Sequence, residues 1–142
     1  MKIERIVQGS LESNCYIIYH SEGGECFIID PGYNAAKIIK DIEKKNLKPK
    51  GILLTHMHYD HVGAVPGIKA RFDIPTYMHA QDVQEYKGHI DRLLYGGEEL
   101  DLEGEIIKII HTPGHSHGSI CIMCEGSKAC FTGDTIFDID LG

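Results

Sequence analysis

Apolar residues recur along the chain in two rhythms, and the switches between them mark out most of the elements. Residues 2–7, 14–19 and 25–30 are short runs rich in Ile, Val, Tyr, Phe and Cys, which read as strands. Ser21-Glu22-Gly23-Gly24 is a turn signal, so the second and third runs are expected to form a hairpin. Asp30-Pro31-Gly32 stops the third run, and Asn34 can cap a helix behind it. Ala35, Ile38, Ile39 and Ile42 then recur at helical spacing, with Lys37, Lys40, Asp41 and Glu43 between them. This pattern predicts a helix ending near Lys45. Residues 51–54 form a short apolar run, best read as a buried strand. Residues 62–72 look partly helical, interrupted by Pro66. Beyond them the pattern predicts a strand at 76–78, a short helix at 81–86, and strands at 105–110, 119–124 and 128–132. The stretch 87–104 carries Gly88, Gly96, Gly97 and Gly104 and reads as a mobile loop. Strands precede and follow helices in both halves, so the class is α/β or mixed α+β.

Length adds that residues 1–142 form one domain, large enough to fold without disulfides. Hydrophobic residues at 42% and charged residues at 25% are those of an ordinary globular chain, which argues against disorder. The net charge of −7 speaks against a nucleic-acid binder and against docking on an anionic membrane. The small basic stretch Lys44, Lys45, Lys48 and Lys50 reads as a solvated helix end. No apolar run approaches the ~18–20 residues of a membrane span. Five cysteines, an odd number behind an N-terminus without a signal-peptide core, point to a reducing compartment and a cytoplasmic location. Cys121 and Cys124 have the spacing of a redox or zinc pair, but on a strand they face opposite sides. They are expected to be ordinary strand residues, as are Cys15, Cys26 and Cys130.

The chemistry lies in the nine histidines, because they cluster. Thr55-His56-Met57-His58-Tyr59-Asp60-His61 places four potential ligands within six residues, straight after a buried strand. In an extended segment His56 and His58 point the same way and could share one metal. If the chain then turns into a helix, Asp60 and His61 point elsewhere and could hold a second. Imidazole with carboxylate suits zinc, iron or manganese better than calcium or magnesium. A second cluster, His111-Thr112-Pro113-Gly114-His115-Ser116-His117-Gly118, offers three competing histidines around a tight Pro-Gly turn. A third signal, Thr132-Gly133-Asp134-Thr135, puts a carboxylate at the end of a strand.

These three motifs, in this order, resemble the metallo-β-lactamase superfamily, and most closely its glyoxalase II-like (hydroxyacylglutathione hydrolase-like) branch. The resemblance covers nearly the whole chain, and Phe27-Ile28-Ile29-Asp30-Pro31-Gly32 fits the family's strand-to-turn motif. It implies an α+β fold, the αββα sandwich, with metals held by loops at one edge of two packed sheets. It implies a first metal on His56, His58 and His115, a second on Asp60 and His61, and Asp134 bridging both. His111 then becomes a loop or supporting residue and His117 an exposed one. Asp30 would support the metal loops. The implied cofactors are two zinc ions, with iron or manganese as other candidates. The implied reaction is hydrolysis of a small-molecule thioester by a metal-bridging hydroxide, with Asp60 and Asp134 as the catalytic carboxylates. Relatives of this branch continue past the equivalent of Gly142 with further strands, a helix and a last histidine for the second metal. On that basis uncovered sheet edges, with self-association or low stability, are expected. Two other readings stay open: a mononuclear-iron enzyme of the persulfide dioxygenase type, and an inactive metal-binding fragment.

Overall fold

The computed structural model describes residues 1–8, 13–57, 62–86, 88–114, 116–132 and 136–138. Strands β1 (Lys2–Gln8), β2 (Ser13–Tyr19) and β3 (Glu25–Ile29) form an antiparallel meander. The expected hairpin is there, with Tyr16 opposite Ile29 and Tyr19 opposite Cys26. Helix α1 (Ala35–Lys44) follows, and the Asn34 side chain accepts from the Lys37 N–H at 3.2 Å, as its position in the sequence suggested. β4 (Lys48–Leu53) returns parallel to β3, so β3, α1 and β4 make one crossover unit.

A second crossover runs through α2 (Val65–Arg71) to β5 (Thr76–His79). Pro66 does not interrupt this helix; it sits in the first turn, where its missing N–H has no intrahelical partner to lose. A four-residue helix, α3 (Ala80–Val83), follows directly, and β6 (Arg92–Leu94) closes the sheet. The first sheet therefore has the order β1-β2-β3-β4-β5-β6.

The second sheet is antiparallel, with the order β11-β10-β9-β8-β7. Its strands are β7 (Glu99–Leu102), β8 (Glu105–His111), β9 (Ile120–Cys124), β10 (Ala129–Phe131) and β11 (Ile136–Asp138). The glycine-rich stretch read as a mobile loop thus carries both β6 and β7. Arg92-Leu93-Leu94 and Glu99-Leu100-Asp101-Leu102 are too short and too polar to announce themselves. Pairing to β5 and β8 extends them.

Alternation along the central strands builds two cores. Cys15, Ile17, Cys26, Ile28, Ile52 and Leu54 face the helices and pack with Ile38, Ile42, Val65 and Ile68. Tyr16, Ile18, Phe27, Ile29 and Leu53 face the second sheet and pack with Ile107, Ile109, Ile122 and Phe131. The layers among the described residues are therefore helices, sheet and sheet. α1 and α2 approach so closely that a Cβ on Gly67 would lie 2.7 Å from the Ala35 Cβ. Every cysteine is a free strand residue, and Cys121 and Cys124 fall on opposite faces of β9.

Candidate metal centre

The parallel strands β3, β4 and β5 all end at the same edge, and three polar side chains stand there. Such an edge, beyond the carboxyl ends of parallel strands, is the usual place for a ligand site. Asp30 follows β3 and is wholly buried. Its backbone is left-handed, with φ 53°, a conformation Asp tolerates better than most residues. That turn aims the carboxylate at the end of β4. Its Oδ1 accepts from the Thr55 N–H at 2.8 Å, and its Oδ2 accepts from the Thr55 hydroxyl at 2.6 Å. Thr55 Oγ1 in turn lies 3.0 Å from His56 Nδ1. A threonine hydroxyl has one proton, and here Asp30 takes it. Thr55 must therefore accept from the His56 ring. The His56 proton is then on Nδ1, and Nε2 holds the lone pair. This is the tautomer a metal-binding imidazole needs, set by a hydrogen bond on the far nitrogen.

His56 is only 3% exposed, and it is the one member of the proposed ligand set within the described residues. His58, Asp60, His61, His115 and Asp134 lie outside them, as does Tyr59. Accordingly, no three His, Cys, Asp or Glu side chains gather as a metal site among the described residues. The chemistry of His56 and its two partners nevertheless fits a metal.

Two features join this edge to the second sheet. The Ile120 N–H donates to the Thr55 carbonyl at 2.9 Å, tying β9 to the end of β4. The loop after β8 closes through Thr112 N–H to Ser119 O, also 2.9 Å. From α3, the buried carboxylate of Asp82 reaches both sides, accepting from the Met57 N–H, the Ser116 hydroxyl and the Gly118 N–H. Nothing in the sequence marks this aspartate, because one acid in a short polar helix normally faces water.

His111 ends β8 rather than lying in a loop, and His117 is exposed as expected. The His111 ring stacks on His79 at 3.9 Å between centroids and donates from Nε2 to the His117 carbonyl at 2.9 Å. His79 caps α3, its Nδ1 accepting from the Gln81 N–H at 3.0 Å. Burial and, after it, the neighbouring His111 hold the His79 pKa below the ordinary imidazole value. The cysteine thiols go the other way. Burial raises Cys26 and Cys124 to about 12 and Cys130 to about 11, and Cys15 is also raised well above the usual thiol range. Four of the five are thus held as neutral thiols, poor ligands and poor nucleophiles. Among the described residues no helix is long and apolar enough to cross a membrane.

Residues 9–142 match the model of the metallo-beta-lactamase superfamily. The chain is 34% identical over 160 residues to the hydroxyacylglutathione hydrolase GloC of Haemophilus influenzae, covering 100% of this chain and 75% of that protein. Among solved structures, the BLEG-1 B3 metallo-beta-lactamase superposes with a TM-score of 0.82 at 29% identity, covering 92% of this chain and 71% of the other. The protein TTHA1623, solved in a di-iron-bound form, superposes at 0.78 with 29% identity, covering 94% and 73%. The two-sheet fold, the metal-ready His56 at its strand-end edge and these matches agree, and the chain belongs to the metallo-beta-lactamase superfamily of divalent-metal hydrolases.

Proposed function

We propose that the chain is a metal-dependent hydrolase that cleaves a small-molecule thioester of the hydroxyacylglutathione type. One observation carries the metal part of this reading. A buried imidazole, with its tautomer set by Asp30 through Thr55, opens the His-x-His-x-Asp-His run at the end of β4. The likeness to a hydroxyacylglutathione hydrolase supports the thioester.

In this reading His56, His58 and His115 would hold one metal, Asp60 and His61 would hold a second, and Asp134 would be a ligand shared by both. Asp30 acts two hydrogen bonds away, keeping the His56 proton on Nδ1 through Thr55. Bound divalent ions supply an acidified water near neutral pH and a Lewis acid for the carbonyl oxygen. Asp60 and Asp134 would be the carboxylates that accept hydrogen bonds from the attacking water. No serine or cysteine nucleophile is required, which agrees with the raised thiols. Zinc is the first metal to test, and the di-iron-bound neighbour makes iron the second.

Elemental analysis of the purified chain, paired with hydrolysis of a 2-hydroxyacyl glutathione thioester, tests the proposal. The expected result is about two metal equivalents and turnover that His58→Ala abolishes. Full thioesterase activity in His58→Ala would end the proposal. One equivalent of iron, with oxygen uptake on a persulfide, would replace it with the mononuclear-iron reading.

A further inference from the structure

Asp82 is 2% exposed, and its carboxylate is almost wholly occupied by the two loops of the strand-end edge. Oδ2 accepts from the Met57 N–H at 3.1 Å, one residue past His56. The same oxygen accepts from the Ser116 hydroxyl at 2.7 Å, and Oδ1 accepts from the Gly118 N–H at 2.6 Å. Ser116 directly follows His115 in the chain. Its geometry is held in turn, because the Ser116 N–H donates to Ser119 Oγ at 2.9 Å and the two hydroxyls lie 2.8 Å apart.

Gly118 shows how tight this junction is. A Cβ there would lie 2.7 Å from both Oδ1 and the backbone N of Asp82, with no positive φ to explain the glycine. Space alone demands it. On the other side, His79 Nδ1 accepts from the Gln81 N–H at the start of α3, the helix that carries Asp82. The carboxylate thus bridges the first sheet, through the segment after β4, and the second sheet, through the loop between β8 and β9.

We propose that Asp82 is a positioning residue of the metal centre: its buried carboxylate clamps the segment carrying His56 to the loop carrying His115. This rests on the metal reading above. The residue touches no reacting atom. Its effect is to hold the two loops at one separation before any metal arrives, so that binding need not pay to order them. Carboxylates that support ligand loops in this way change metal affinity about 10–100-fold when removed.

The test uses the full chain with Asp82→Ala, Asp82→Asn and Gly118→Ala, and two measurements. The first is zinc affinity by competition with a chromophoric chelator. The second is amide hydrogen exchange at Met57 and Gly118 in the metal-free chain. Asp82→Ala is expected to weaken zinc about 10–100-fold and to speed exchange at both amides. Asp82→Asn keeps one acceptor oxygen and should fall between it and the parent, also serving if the alanine variant does not fold. Gly118→Ala should weaken zinc with the carboxylate still present. A purely structural role would lower the melting temperature of the variants and leave zinc affinity at 25 °C unchanged; that result overturns the proposal. If the parent chain binds neither zinc nor iron, the metal reading fails first. The positioning role then falls with it, and faster exchange at both amides would record only a structural tie between the two loops.

Discussion

The space between the two sheets and the edge where β3, β4 and β5 end are both buried, yet they are built on opposite terms. Between the sheets, Tyr16, Phe27, Ile29, Ile107, Ile122 and Phe131 pack in an apolar cluster. At the edge, Asp30, Thr55, His56, His79 and Asp82 are buried polar side chains. The first region stabilises through apolar area and close packing, so it tolerates volume-conserving exchange. The second must satisfy every donor and acceptor, because a buried polar group left alone costs the full loss of its hydration. A fold of this kind can therefore be held by one region and made chemically specific by the other.

Core truncation gives the sharpest contrast. Phe131 is fully buried and meets the Tyr16 ring edge-on at 5.1 Å. Phe131→Ala is expected to cost about 3–5 kcal/mol of stability, read from the denaturant midpoint.

Asp30→Asn probes the edge. The shape is kept, but an amide offers only one acceptor oxygen where Thr55 presents both an N–H and a hydroxyl. A loss of about 1–3 kcal/mol is expected by the same measurement. A metal-affinity loss should accompany it that Phe131→Ala does not show. Equal affinity losses in the two variants would erase the distinction between the regions.

A smaller effect appears with pH. Above about 6.5, His79 is neutral in both the folded and unfolded chain and contributes no slope. As pH falls through that value, the unfolded chain takes up a proton that folded His79 resists, because its pKa is lowered. Stability is therefore expected to fall below about pH 6.5. His79→Asn keeps a capping acceptor for Gln81 and should flatten that part of the profile, measured by urea titration between pH 5 and 7, on the order of the imidazole range.

The smallest expected signal is thiol reactivity. Cys121 is partly exposed, whereas Cys15, Cys26, Cys124 and Cys130 are buried. A thiol reagent should therefore modify Cys121 first in the native chain and all five only on unfolding. Fast native modification of Cys26 or Cys124 would show that the strands around them open.

The sequence by itself determined the first five strands of the first sheet, the α1 helix with its Asn34 cap, and the His-x-His-x-Asp-His run that points to metal chemistry. These are local: period-two and period-3.6 patterns, a capping side chain, and ligands close together in the chain. Tertiary structure decided the rest. β6 and β7 are strands because β5 and β8 lie beside them. Pro66 opens α2 instead of breaking it because the helix starts one residue earlier. Asp30 acts on His56 across 25 positions to Thr55, and Asp82 reaches Gly118 across 36. No local pattern records such pairings, since a carboxylate destined for burial looks the same in sequence as one facing water. Parallel pairing of β3 and β4 brings Asp30 to Thr55, and packing of the two sheets brings Asp82 to Gly118.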